Sequence, residues 1–109
     1  PGMLHPGALG GPVHEAVLAM LARQSADRFA AQQAALLARP DASDVLPRIG
    51  CPTLVLCGRE DAWSPLARHE ELARAIDGAR LVAVPRCGHM STMEQPAAVA
   101  AALAAWLAS

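Results

Sequence analysis

Two patterns of apolar positions, short continuous runs and residues at helical spacing, predict the strands and helices of this chain. Residues 53–57 (Thr-Leu-Val-Leu-Cys) are almost continuously apolar and include two β-branched residues, which predicts a strand buried on both faces. Residues 81–84 (Leu-Val-Ala-Val) predict a second strand. A helical pattern follows each strand, over about 64–76 and 96–107. The second half of the chain therefore has the order β-α-β-α, with its two strands parallel.

The first half of the chain has a helical pattern without strands. Residues 1–11 are rich in Gly and Pro and predict a loop. Apolar residues recur at helical spacing over about 12–24 and again over 25–39, where Ser25 suits the N-cap position. Residues 40–50 form a linker. The predicted fold class is therefore α/β, with two parallel strands preceded by two helices.

Composition excludes several classes of protein. Hydrophobic residues make up 53% of the 109 residues and charged residues 17%, which is typical of a chain with a packed core. The net charge of −1 argues against a nucleic-acid partner and against an anionic membrane. The longest apolar run, residues 97–108, is too short to span a membrane. Three cysteines without disulfide spacing favour reduced thiols and a cytoplasmic location.

Two side chains with catalytic potential follow the ends of the two predicted strands. Asp61 comes shortly after the first strand, and His89 follows the second. The carboxyl ends of parallel strands meet at one edge of a sheet, so we expect the two side chains to lie together, with an oxygen–nitrogen distance of about 2.6–3.2 Å. An aspartate that accepts a hydrogen bond from one imidazole nitrogen leaves the other nitrogen as a general base. The pair would be two members of a nucleophile–base–acid triad.

The segments around these two residues resemble a known family. The sequence GREDAWSP follows the first strand and PRCGHMSTMEQP follows the second, which is similar to the C-terminal portion of α/β-hydrolases. In that family the chain order is serine, then acid, then histidine. The resemblance implies that Asp61 is the acid and His89 the base, that residues 1–45 are the end of a helical cap, and that residues 46–109 are part of the hydrolase core.

The resemblance also implies an activity that this sequence does not fully encode. A complete protein of this kind would hydrolyse a small-molecule ester or a similar bond by a Ser-His-Asp mechanism, without a cofactor. The nucleophile motif G-x-S-x-G is absent from residues 1–109, and so is the region that supplies the oxyanion hole in the family. We therefore expect a C-terminal fragment of an α/β-hydrolase that is inactive alone.

Other residues near the two motifs admit more than one interpretation. Glu60 is a reserve candidate for the acid, and Cys87 is a candidate nucleophile beside His89. Ser64 suits a helix cap, and Ser91 is too close in sequence to His89 to present its hydroxyl to that ring. Further side chains have a structural alternative: Trp63, Met90 and Met93 could line an acyl pocket or pack in the core, and Glu94 suits the start of the last helix. The cysteines and histidines lack zinc-binding spacing, so no metal site is expected.

The predicted sheet is too small to be complete. Two parallel strands leave open edges and a limited apolar face, so we expect a homo-oligomer, most simply a two-fold dimer that completes the sheet. An alternative function follows from the same feature. The chain could be a non-catalytic association module in which Asp61 and His89 are the remains of a catalytic site.

Overall fold

Two parallel strands lie at the centre of the computed structural model, which describes residues 2–109. Strand β1 (Leu54–Gly58) pairs with β2 (Arg80–Val84), so that Leu54 lies opposite Arg80 and Gly58 lies opposite Val84. Because the strands are parallel and end opposite each other, the loops that follow them leave the sheet at the same edge. Within residues 2–109 the sheet contains these two strands alone.

Residues 2–109 contain five α-helices, four of which stand in the order expected from the sequence. Their bounds are α1 (Pro12–Ala22), α2 (Ala26–Leu37), α3 (Leu66–Ala75), α4 (Ser91–Glu94) and α5 (Pro96–Leu107). Ser25 caps α2 as predicted, with its hydroxyl accepting a hydrogen bond from the Arg28 amide at 3.2 Å. The prediction that Ser64 caps α3 is wrong, because Pro65 occupies the cap position without a side-chain hydrogen bond. The four-residue helix α4 was not predicted. It lies within the loop that carries His89.

The core lies between the strands and the helices α3 and α5, which contact both strands. In β1, Val55 and Cys57 are buried, whereas the alternating residues Leu54 and Leu56 are only half-buried. Successive side chains of a strand point to opposite faces, so one face of the sheet is well covered and the other is partly open. Among the residues described, the predicted burial of β1 is therefore found on one face of the sheet and not on the other.

Helix α2 buries none of its side chains. Its apolar residues Phe29, Leu36 and Leu37 are 60%, 54% and 85% exposed. Helix α1 buries Val17 alone, with Leu18 and others on its surface. No helix among residues 2–109 has the length and apolar character needed to cross a membrane. The division of the chain at residue 45 stays a prediction.

Candidate active site

Backbone hydrogen bonds join the two loops that leave the ends of β1 and β2. The Arg59 amide donates to the Val84 carbonyl at 2.8 Å, and the Glu60 amide donates to the Cys87 carbonyl at 3.0 Å. The Glu60 carboxylate accepts a hydrogen bond in return from the Cys87 amide at 2.9 Å. These bonds extend the pairing of the strands into the loops. The loop after β1, which carries Asp61, and the loop after β2, which carries His89 and is called the histidine loop below, are therefore fixed relative to each other.

Two glycines permit this close approach. A Cβ atom on Gly58 would overlap the backbone carbonyls of Cys87 and Gly88, which cannot move as a side chain would. A Cβ on Gly88 would lie 2.7 Å from the His5 amide nitrogen and 2.8 Å from the Met3 carbonyl oxygen. Neither position has room for a side chain, so both require glycine. The second brings the N-terminal segment against the histidine loop.

Asp61 and His89 form the expected hydrogen bond. The Asp61 Oδ2 atom lies 2.8 Å from His89 Nδ1, within the predicted range. The other carboxylate oxygen, Oδ1, accepts hydrogen bonds from the amides of Trp63 and Ser64, each at 2.9 Å. A carboxylate can only accept, so Nδ1 carries the proton of the neutral imidazole and Nε2 keeps its lone pair. No protein group among residues 2–109 hydrogen-bonds Nε2, which leaves this nitrogen available as a base.

The environment of Asp61 favours its charged form. The residue is only 6% exposed, and this burial taken alone raises its pKa. Hydrogen bonds from the Ser64 amide, the His89 ring and the Trp63 amide lower the pKa, as does the charge of a protonated His89, and together they outweigh the burial. The pKa of Asp61 therefore lies below its usual value, and the carboxylate is ionised wherever the imidazole acts as a base.

Glu60 is not the acid partner of His89. Its carboxylate binds the Cys87 amide, and this hydrogen bond lowers the pKa of Glu60. This hydrogen bond links the loop after β1 to the loop after β2. The geometry thus selects Asp61, and not its neighbour, as the partner of the imidazole.

Cys87 lacks the properties of a nucleophile. Its side chain is completely buried, and its sulfur donates a weak hydrogen bond to the Gly88 carbonyl at 3.6 Å. Burial, followed by the nearby carboxylates of Glu94, Glu60 and Asp61, raises the pKa of the Cys87 thiol to about 11. The reactive form of a cysteine is the thiolate, so this thiol is inert at neutral pH.

Glu94 contributes to the site in a way that the sequence analysis missed. Its carboxylate was expected to help start α5, but it accepts hydrogen bonds from the amides of His5, Gly88 and Met90, at distances of 2.8–3.2 Å. A glutamate that reaches back to the amide preceding a short helix resembles a capping box. Glu94 lies four residues after the cap residue Met90, one more than in that motif, and the cap is not Ser or Thr, so the sequence carried no signal for this role.

An apolar cavity lies next to the Asp61–His89 pair. The Trp63 ring packs against the His89 ring at a centroid distance of 5.4 Å and an angle of 44°. Trp63 also lines a cavity of about 150 Å³ whose other walls come from the N-terminal loop and α1. The lining residues are Met3, Leu4, Leu9, His14, Val17, Leu18, Leu21 and Trp63. Of the three side chains considered for an acyl pocket, Trp63 lines this cavity, whereas Met90 and Met93 do not.

The arrangement of possible metal ligands was also considered. Across residues 2–109, no group of three or more His, Cys, Asp or Glu side chains is arranged to hold a metal ion.

Comparisons with known proteins find a family and several similar hydrolases. Residues 2–102 match the model of the alpha/beta hydrolase family. A hydrolase from Pseudomonas aeruginosa PA01 is 35% identical, with a TM-score of 0.85 over 99% of this chain and 41% of its own. A thermophilic esterase from Thermogutta terrifontis is 47% identical, with a TM-score of 0.63 over 64% of this chain and 26% of its own.

The curated proteins include a further relative. The "Putative carbamate hydrolase RutD" of Pseudomonas syringae pv. syringae is 36% identical over 69 residues, which are 63% of this chain and 27% of that protein. The chain thus spans about a quarter of the length of the curated relative that it matches.

Proposed function

Because the chain belongs to the α/β-hydrolase family, we propose that it supplies the acid and the base of a serine hydrolase that cleaves an ester or a related bond. The partial α/β-hydrolase fold expected from the sequence is confirmed by the family match and the solved hydrolases. The observation that carries the proposal is the 2.8 Å hydrogen bond between Asp61 and His89 at the carboxyl edge of two parallel strands. The esterases and hydrolases among the relatives support the reaction class.

In the proposed mechanism, His89 moves protons and Asp61 holds the imidazole. Nε2 removes the proton of a serine hydroxyl as the oxygen attacks the ester carbonyl, and then gives that proton to the departing alcohol. In the second half of the reaction Nε2 removes a proton from water, which attacks the acyl-enzyme, and the proton returns to the serine. Asp61 keeps Nδ1 protonated throughout and stabilises the imidazolium that forms twice.

The nucleophile and the oxyanion hole are proposed to come from outside residues 1–109. These residues contain no G-x-S-x-G motif, and the chain covers only 41% of the Pseudomonas aeruginosa hydrolase. In this family the nucleophile precedes the acid in chain order. We propose that the chain acts as the C-terminal part of a larger catalytic unit, and that it has no acyl-enzyme activity alone.

The cavity beside Trp63 suits an apolar group of the substrate. Its volume of about 150 Å³ is similar to that of engineered apolar cavities that bind benzene. Its lining is almost entirely aliphatic and aromatic, and its Trp63 wall touches the ring of His89. We therefore propose an ester with one compact apolar group as the substrate class.

The proposal includes an assembly and a location. The open sheet and the exposed apolar residues of α2 support association of the isolated chain, most simply as a two-fold dimer. Light scattering at micromolar concentration should give twice the mass of the chain, and a folded monomer would contradict this. Three free cysteines support a reducing, cytoplasmic location.

The exposed face of α2 also favours a second candidate function. Phe29 and Leu37 are 60% and 85% exposed, which is typical of a surface that binds another protein. In this alternative the chain is an association module, and the Asp61–His89 pair does not take part in chemistry.

The first experiment uses the chain as it is. It is treated with a serine-directed fluorophosphonate, and turnover of a nitrophenyl ester is compared for the parent and Asp61→Asn. We expect no mass adduct and equal turnover, because a base without a nucleophile and an oxyanion hole retains little of the rate. An adduct on Ser64 or Ser91, with turnover lost in Asp61→Asn, would show a self-contained hydrolase.

The second experiment adds the proposed N-terminal portion with its nucleophile motif. Activity and a serine adduct should then appear and should depend on both Asp61 and His89. The matched controls are Asp41→Asn and His69→Ala, which remove the same groups away from the site. If the completed protein is folded but activity is absent, or does not depend on the pair, the association module is the correct function.

A further inference from the structure

The backbone around His89 is held by one carboxylate. Oε1 of Glu94 lies 3.1 Å from the Gly88 amide nitrogen and 3.2 Å from that of Met90. Oε2 lies 3.0 Å from the Gly88 nitrogen and 2.8 Å from that of His5. Glu94 therefore accepts hydrogen bonds from the residues on both sides of His89 and from the N-terminal segment at the same time.

The remaining amide of this loop is fixed by the same segment. The His89 amide donates to the Met3 carbonyl at 2.8 Å. Glu94 binds the His5 amide, so it also holds the N-terminal segment in which the Met3 carbonyl lies. Three consecutive amides, at positions 88, 89 and 90, are thus bound either by Glu94 or by a segment that Glu94 anchors.

We propose that Glu94 is the positioning residue of His89, holding the backbone on both sides of the imidazole so that Nδ1 stays within reach of Asp61. The loop before α4 is irregular, and the side chain of His89 is 41% exposed, so packing alone does not restrain the ring. Among residues 2–109, the one aromatic ring that packs against it is that of Trp63, which is itself 60% exposed. This proposal rests on the proposed role of His89 as the base.

A carboxylate is needed because the three bound groups are all donors. Glutamine would replace one of the two oxygens with an NH₂ group that faces an N–H group. If the NH₂ replaces Oε1, the Met90 bond is lost, and if it replaces Oε2, the His5 bond is lost. In either orientation of the amide, Glu94→Gln therefore loses the hydrogen bond to Met90 or the one to His5, while the side-chain volume stays almost constant.

The test measures the tautomer of His89 by ¹⁵N NMR in the 109-residue chain at alkaline pH, where the imidazole is neutral. The tautomer is set by the hydrogen bonds that the ring makes, so the parent should show Nδ1 protonated in His89. His14 is an internal control of the opposite kind, because its Nδ1 accepts a hydrogen bond from the Gly10 amide at 3.0 Å. Asp61→Asn is the positive control, since it removes the carboxylate that favours Nδ1–H.

In Glu94→Gln we expect the Nδ1-protonated fraction of His89 to fall while that of His14 is unchanged. The amide that loses its acceptor, that of Met90 or that of His5, should exchange with solvent about tenfold faster or more, which corresponds to the loss of a hydrogen bond to a charged acceptor. Glu71→Gln is the matched control, because it removes an exposed carboxylate of α3 that pairs with Arg68. A residue that contributed only to stability would lower the unfolding midpoint and leave the tautomer of the folded protein unaltered.

The proposal is overturned if folded Glu94→Gln keeps the parental tautomer of His89, even where the Met90 or His5 amide exchanges faster. If Glu94→Gln does not fold, Glu94→Asp keeps the charge but withdraws it by one methylene, and the same change in tautomer is expected. If neither variant folds, scalar couplings across the hydrogen bonds from Gly88 and Met90 to the Glu94 carboxylate decide the matter in the parent, and their absence overturns it. These readouts need no ester and no nucleophile, so a failure of the proposed hydrolase activity is distinguished from a failure of the positioning role.

Discussion

The edge of the sheet that carries Asp61 and His89 differs sharply from helix α2 in what stabilises it. At the sheet edge, backbone amides and two glutamates bind across segments far apart in the sequence, and Asp61 is buried. In α2, local capping and helical periodicity form a regular helix, yet none of its side chains is buried. Periodicity therefore specifies a helix even where residues 2–109 provide no cover for its apolar face, whereas the site depends on long-range contacts. Substitutions should have large effects in the first region and small effects in the second.

The largest expected difference comes from paired glycine substitutions. Gly58→Ala should lower the free energy of unfolding by about 3 kcal/mol or more, because the new Cβ overlaps the backbone carbonyls of Cys87 and Gly88. Gly50→Ala is the matched control, since a Cβ there meets nothing within 4 Å, and its effect should stay within about 0.5 kcal/mol. Chemical denaturation measures both, and equal effects would contradict the close approach of the two loops.

Cysteine labelling provides the next contrast. Cys51 is exposed, whereas Cys87 is buried and its thiol has a pKa of about 11. At pH 8 the thiolate fraction of Cys87 should be about a hundredfold below that of an ordinary cysteine, and burial slows the reaction further. Mass spectrometry after brief alkylation should locate the label on Cys51. Rapid labelling of Cys87 in the folded chain would reopen its candidacy as a nucleophile.

Truncation of apolar side chains extends the comparison to packing. Val84 is 2% exposed at the end of β2, and Val84→Ala should cost about 2 kcal/mol from lost burial and the remaining cavity. Leu37→Ala removes a larger side chain that is 85% exposed, and should change the free energy of unfolding by less than about 0.5 kcal/mol in dilute solution. A cost of Leu37→Ala that grows with protein concentration would indicate that association covers this face.

The smallest expected effect is a dependence on acid. The pKa of Asp61 is lower in the folded chain than in the unfolded chain, so its contribution to stability is complete above the unfolded value of about 3.9 and is lost as the pH falls through the folded value. Asp61→Asn should remove this loss from the curve of unfolding free energy against pH. Asp41 also has a lowered pKa, from the Ser43 hydroxyl and amide, but it is fully exposed. Asp41→Asn should leave the curve nearly unchanged because solvent screens that site, and the reverse order would refute the comparison.

The sequence predicts the elements of this fold and the central pair of the site well. Both strands, four of the five helices and the contact between Asp61 and His89 follow from local apolar patterns and from the rule that parallel strands end at one edge. The function of Gly58 does not, because the carbonyl groups it must avoid belong to residues about thirty positions later in the chain. Glu94 was misassigned for a similar reason. Its partners are backbone amides, including that of His5, and backbone groups leave no trace in a pattern of side chains.

The exposure of the apolar residues of α2 and of one face of the sheet could not be derived from the sequence pattern either. Apolar residues at helical spacing show that a face exists, but they do not show whether the same chain packs against it. Val17 is buried while Leu21, four residues later on the same apolar face of α1, is 47% exposed.

The central claim is that Asp61 and His89 act as one catalytic unit, and a double-mutant cycle tests it most directly. Ester turnover is measured for His89→Ala, Asp61→Asn and the double variant in the chain joined to the proposed N-terminal portion that carries the nucleophile. We expect each single substitution to reduce turnover by about ten-thousandfold or more, and the double variant to be no slower than His89→Ala alone, because residues that act as a unit are strongly non-additive. Losses that multiply, or turnover that persists in His89→Ala, would contradict the claim.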